Sequence, residues 1–192
     1  MTLQEFFHNN PRAALAFSGG ADSAYLLWAA REWAEDVKAY YVHSPFQPAF
    51  ELADARRLAE ELGMPMTVLE ADVLSVPGAA ANGPDRCYHC KTALFTLLKE
   101  AALADGYTLL IDGTNASDDA GDRPGMRALR ELAVRSPLRE CGVTKAEVRP
   151  RSREAGLFTW DKPAYACLAT RVPTGTAITP EALSAVEGAE KA

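Results

Sequence analysis

Four short apolar runs set the rhythm of the chain: Ala13 to Phe17, Val37 to His43, Met66 to Glu70 and Tyr107 to Asp112. Each is rich in Val, Ile, Leu or Tyr and bounded by Gly, Pro or Asp, which predicts strands. Between them the apolar period changes. In Glu51 to Leu62, the residues Leu52, Ala55, Leu58, Ala59 and Leu62 recur at spacings of three and four, and Leu94, Leu97, Leu98 and Ala101 repeat this in Lys91 to Ala104. Both segments therefore read as amphipathic helices, the first closed by Gly63 and Pro65. Tyr25, Leu26 and Leu27 begin another helix, and Pro124 starts one that runs through Val134.

Strands that are apolar nearly throughout, alternating with helices, predict an α/β fold with a doubly wound, mostly parallel sheet covered on both faces. Ligands of such sheets sit beyond the carboxyl ends of the strands. The loops after Phe17, His43, Glu70 and Asp112 are therefore the places to look for chemistry.

Bulk properties narrow the field. The chain has 192 residues and a net charge of −6, which suits one domain with a small appendage and argues against nucleic-acid or acidic-membrane partners. No stretch approaches the roughly 20 apolar residues of a membrane span. The N-terminal MTLQEFFHNNPRAAL lacks a basic region followed by an apolar core, so a cytoplasmic location is expected. The four cysteines, at 87, 90, 141 and 167, then read as thiols or metal ligands rather than disulfides. The last segment, Pro180 to Ala192, has a thin apolar stripe (Leu183 and Val186) and is expected to form a helix that leans on something following it.

After the first strand the chain reads Ser18-Gly19-Gly20-Ala21-Asp22-Ser23. Paired glycines let the backbone approach a ligand closely, and consecutive N–H groups at a helix start favour an anion. Ser18 and Ser23 add hydroxyl donors. Asp22 would repel a phosphate unless it caps the helix or faces a cation. The sequence lacks the Gly-Lys-Ser/Thr ending of the P-loop NTPases and the three-glycine dinucleotide pattern. It resembles instead the SGGxDS signature of the PP-loop ATP pyrophosphatases, which implies cleavage of ATP to AMP and pyrophosphate.

The other loops carry chemistry too. Asp112-Gly113-Thr114-Asn115 offers a close approach at Gly113 and neutral hydrogen-bonding groups at Thr114 and Asn115. Asp118, Asp119 and Asp122 read as solvated turn residues, whereas Arg123 reads as a phosphate or carboxylate contact. In Arg86-Cys87-Tyr88-His89-Cys90-Lys91 a Cys-x-x-Cys opens a helix between two cations, a setting that favours thiolates. That pair reads as half a zinc site, a redox pair or part of an iron–sulfur site. Cys141 reads as a bystander. Trp160 to Gly175 (WDKPAYACLATRVPTG) is broken by Pro163 and Pro173, so Cys167 sits in a loop or short helix with Arg171 nearby.

In this order, SGGADS, RCYHCK, DGTN with DRPG, SPLRECGVTKAEVR and WDKPAYACLATR resemble the LarE-type ATP-dependent sulfur transferases of nickel-pincer cofactor maturation. The resemblance implies a PP-loop domain over residues 1–160. It makes residues 161–192 the start of a sulfur-transfer and substrate region, truncated because relatives run further. It implies adenylation of a carboxylate of a pyridinium dicarboxylate mononucleotide, then conversion to a thiocarboxylate. The sulfur would come from Cys167, left as dehydroalanine, or from a sulfide on a [4Fe-4S] cluster held by Cys87, Cys90 and Cys167.

The nucleotide would lie against Ala16, Phe17, Ser18, Gly19, Gly20, Asp22 and Ser23, with His43 or Ser44, Gly113, Thr114, Asn115 and Arg123 completing the site. Lys91 and Arg86 would supply charge to the phosphates, Arg171 would contact the substrate or the adenylate, and Asp22 would help to hold Mg²⁺. A homo-oligomer, trimer or hexamer, is implied as well. Thiolation of tRNA and amide formation by an adenylating synthetase are the alternative outcomes of the same ATP chemistry.

Overall fold

A computed structural model describes residues 1–118 and 123–191, the last of these in its backbone alone. Helix α1 (Leu3–Asn9) is fixed by a reciprocal capping box between Thr2 and Glu5. It leads into β1 (Arg12–Ala16), α2 (Ala21–Trp33), β2 (Asp36–His43), α3 (Ala49–Glu61) and β3 (Met66–Glu70). Helices α4 (Pro77–Ala80) and α5 (Arg86–Ala104) precede β4 (Leu110–Asp112). Helices α6 (Pro124–Glu131), α7 (Pro137–Glu140), α8 (Lys145–Glu154) and α9 (Pro180–Lys191) follow, with short 3-10 turns at Phe158–Asp161 and Leu168–Arg171.

The four strands form one parallel sheet in the order β3-β2-β1-β4, as the apolar strands and intervening helices predict. Alternation along β1 divides the core into two layers. Ala13, Leu15 and Phe17 face a cluster built with α1, α2, α3 and α8, whereas Ala14 faces Leu98 and Ala102 of α5. Strand β4 is shorter than the apolar run from Tyr107 suggests. The chain turns at Gly106 (φ +86), and the Tyr107 hydroxyl donates to Asp36 Oδ1 (2.8 Å), outside the ladder. Helix α6 begins with Pro124 at its first turn, as expected.

A third apolar cluster caps the carboxyl end of the sheet: Phe46, Val73 and Ala79 pack with Leu168, Ala169, Val172, Ile178 and Leu183. The C-terminal helix therefore leans on the chain itself. Leu183 is buried, Glu187 accepts from the Ala49 N–H (3.1 Å), and Glu190 pairs with Arg171 (2.6 Å). Among the described residues, no helix is long and apolar enough to cross a membrane.

Candidate active site

Helix α2 starts at the carboxyl end of β1 with Gly20 as its N-cap, where no side chain satisfies the first N–H groups. Gly19 turns there at φ +74, and a β-carbon on it would lie 3.2 Å from Ala55 Cβ and 3.3 Å from the Glu51 carbonyl. Ser18 Oγ and Ser23 Oγ are 3.0 Å apart, and Ser23 donates to the Gly20 carbonyl (3.1 Å). The loop is thus preformed, its hydroxyls bonded to one another and to its own backbone.

Asp22 resolves the oddity of an acid in this turn. Its Oδ1 is buried without a hydrogen-bond partner, and its pKa is raised, chiefly by burial, against the pull of Asn115, Lys145 and Arg149. A buried, unpaired carboxylate oxygen beside an anion cradle fits a divalent cation.

Two adjoining spaces open from the loop. A cavity of about 450 Å³ is lined by Ser18, Gly20, Asp22, Gln47, Glu51, Lys91, Lys145, Arg149, Lys162, Tyr165 and Cys167. An apolar slot of about 120 Å³ runs beneath α5, lined by Ala16, Phe17, Ser18, Tyr40, Tyr41, Val42, Gln47, Glu51, Leu94, Phe95 and Leu98. Tyr41 is buried, and its hydroxyl has no partner. Ser18, Gln47 and Glu51 border both spaces.

The structure brings together Ala16, Phe17, Ser18, Gly20, Asp22, Lys91 and Cys167 around these two spaces, with Gly19 and Ser23 in the loop behind. Gly113 buttresses the loop from β4, and Asn115, fully buried, reaches Asp22. Thr114 is committed to Asp112, donating through Oγ1 at 2.6 Å. Gly125 leaves room for the Lys91 stem, since a β-carbon there would lie 3.1 Å from Lys91 Cδ.

His43 and Ser44 border a neighbouring cavity instead, where His43 Nδ1 lies 2.8 Å from Glu70. Arg123 is exposed at the N-cap of α6 and borders neither space. Asp118 accepts from the Asn115 N–H (2.9 Å), and Asp119 and Asp122 lie outside the described residues.

Two arginines read as cations for the ligand are employed elsewhere. Arg171 donates to the Ala166 carbonyl (2.7 Å), stacks over Tyr165 and pairs with Glu190. Arg86 donates to the Ala169 carbonyl (2.9 Å) and to Asn82 Oδ1 (2.6 Å). Asn82, buried at φ 55, in turn donates to the carbonyls of Pro173 and Thr176 (2.9 Å each). These contacts hold the turn that carries Cys167, because unpaired loop carbonyls need donors.

The cysteines also depart from expectation. Burial pushes the Cys90 thiol up to about 12, with Cys167 and Cys87 adding to the effect, so the helix start does not make it a thiolate. Burial likewise raises the Cys167 pKa, opposed by Arg86. Cys90 packs inward against the C-terminal cluster, whereas Cys87 is exposed one turn earlier on α5. Among the described residues, no group of three His, Cys, Asp or Glu is arranged to hold a metal ion. The thiols of Cys87, Cys90 and Cys167 nonetheless lie within electrostatic reach of one another, each of the other two raising the Cys90 pKa and Cys87 raising that of Cys167.

Lys145, Arg149, Lys162, Gln47 and Glu51 escaped the sequence reading. Helix α8 presents Lys145 and Arg149 one turn apart, and its capping box, Thr144 with Glu147, was the signal that marked it. Lys162 pairs with Asp54 (2.7 Å) and approaches the Gly19 carbonyl (3.3 Å).

The parallel sheet, the glycine loop at its carboxyl end and the acid behind that loop define a PP-loop α/β protein. No family model matches the chain. It is 34% identical over 192 residues to the pyridinium-3,5-bisthiocarboxylic acid mononucleotide synthase of Lactiplantibacillus plantarum, covering 99% of this chain and 70% of that protein. An uncharacterized Synechocystis protein is 40% identical over 189 residues, 98% of this chain and 70% of its own. A tRNA(Ile)-lysidine synthase of Polaromonas naphthalenivorans is 32% identical over 109 residues, 54% of this chain and 31% of its own. The chain belongs to the LarE-type family, that of the Lactiplantibacillus synthase.

Proposed function

We propose that this chain is an ATP-dependent sulfur transferase acting on a pyridinium dicarboxylate mononucleotide in nickel-pincer nucleotide biosynthesis. The observation that carries the reading is the position of Cys167: it opens into the same cavity as Ser18, Gly20, Asp22 and Lys91. Residues 1–160 would bind and activate, and residues 161–192 would bring the sulfur.

In this reading the base of ATP enters the apolar slot beneath α5, with the Tyr41 hydroxyl at hand, and the phosphates rest on the Ser18–Ser23 loop. The helix N-terminus and the Ser18 hydroxyl hold the pyrophosphate portion. Lys91, Lys145 and Arg149 balance its charge. Asp22 is the residue that would hold Mg²⁺, which on binding neutralises triphosphate charge.

A substrate carboxylate oxygen attacks the α-phosphorus, the bond to the bridging oxygen breaks, and pyrophosphate leaves. Cys167 then loses its thiol proton, and its sulfur adds to the acyl carbon as AMP departs. Loss of the Cα proton breaks the Cβ–S bond, so the sulfur stays on the product as a thiocarboxylate and residue 167 becomes dehydroalanine. The donor is Cys167 in this reading because Cys87 and Cys90 do not border the cavity.

The test is pyrophosphate release from ATP in the presence and absence of pyridinium-3,5-dicarboxylate mononucleotide. AMP and pyrophosphate, formed only with the acceptor, are expected. Formation of ADP, or turnover indifferent to the acceptor, would contradict the reading.

A further inference from the structure

Gln47 sits in the turn that leaves β2, and its side chain is locked by Ser44. The Ser44 N–H donates to Gln47 Oε1 at 2.9 Å, and Ser44 Oγ donates to the same oxygen at 2.7 Å. Ser44 is itself buried and held in a tight turn, its carbonyl accepting from the Gln47 N–H (3.1 Å). A backbone N–H can only donate, so the amide orientation is settled: oxygen toward Ser44, nitrogen away. No described residue accepts from Nε2. Gln47 borders the apolar slot and the main cavity alike, at the seam where one opens into the other.

We infer that Gln47 is a nucleotide-specificity residue, its Nε2 donating to an acceptor on the nucleoside of ATP, and that Ser44 is the positioning residue that aims it. This rests on the reading of the slot and cavity as an ATP site: with the base in the slot and phosphates on the loop, the nucleoside spans the seam. A donor fixed in advance loses little conformational freedom on binding, which makes one hydrogen bond count. It also explains how Ser44 serves the nucleotide without bordering either space.

The experiment is calorimetric titration of wild type, Gln47→Ala, Gln47→Glu and Ser44→Ala with ATP in Mg²⁺ buffer, with thermal melts as a folding control. Loss of this bond should weaken ATP binding about tenfold in Gln47→Ala. Gln47→Glu keeps an oxygen for Ser44 but replaces the free donor by an acceptor, so its loss should be at least as large. Ser44→Ala should fall between wild type and Gln47→Ala. Near-wild-type affinity in Gln47→Glu would overturn the inference, since a merely structural side chain tolerates that change. A wild type that binds no ATP would overturn the proposed function, and this inference with it.

Discussion

Gly113, just beyond β4, lies so close to Ser23 on α2 that a β-carbon built on it would stand 2.8 Å from the Ser23 nitrogen and 2.9 Å from its Cα. The contact is backbone against backbone, so no side chain can swing aside. It fixes where α2 begins, and with it the anion loop. Gly113→Ala should displace the helix start, at a cost of about 1–3 kcal/mol. ATP-dependent pyrophosphate release should fall far more than the melting temperature does, and a fully active Gly113→Ala protein would show that the loop is not held this way.

Lys145 and Arg149 are like charges one turn apart on α8, an arrangement that mildly disfavours a helix on its own. Both border the cavity, where an anion would repay the repulsion. Each replacement by Ala should raise the KM for ATP about ten- to a hundredfold, the loss of a charge-assisted hydrogen bond of about 1.5–3 kcal/mol. The helix itself should melt no earlier. Steady-state kinetics of the two variants decides the matter.

Much of this was legible beforehand and some was not. Apolar runs and their spacing placed β1, β2, β3, α3 and the parallel sheet, because burial on both faces leaves a direct trace in composition. The capping box marks α8, but the reach of Lys145 and Arg149 left no trace, since α8 is polar, carries Pro150 and gains its address by packing on α2 and on the Phe158–Asp161 turn. Arg86 and Arg171 looked like ligands for an anion because charge is visible in sequence and backbone carbonyls are not. Spacing puts Cys87 and Cys90 on one helix, but does not show that Cys90 turns inward while Cys87 faces solvent.

Arg171 provides a sharper separation of steps. It ties the Cys167 turn to α9 through Ala166 and Glu190, outside the cavity. Arg171→Ala should slow sulfur transfer about ten- to a hundredfold while adenylation, read by pyrophosphate exchange, stays within about threefold. Glu190→Gln should do less, because a partly exposed ion pair contributes at most about 1 kcal/mol. Equal losses in both steps would place Arg171 in ATP binding instead.

The half-buried thiols of Cys90 and Cys167 predict a pH signature. Burial favours the neutral form, so the Cys167 pKa lies above the ordinary thiol value and its thiolate fraction at neutral pH is correspondingly small. Single-turnover sulfur transfer should therefore keep rising with pH beyond the point where an ordinary thiol levels off. Alkylation by iodoacetamide should proceed first at exposed Cys87 and last at Cys90, whose thiol is pushed up to about 12. Rapid labelling of Cys90 at neutral pH would contradict its burial.

The central claim is that Cys167 is the sulfur donor, and intact-protein mass spectrometry before and after turnover with ATP and the dicarboxylate nucleotide tests it most directly. A loss of about 34 Da located at residue 167, one per thiocarboxylate formed, is the predicted result. Thiocarboxylate formation with the mass unchanged, or undiminished in Cys167→Ala, would contradict it.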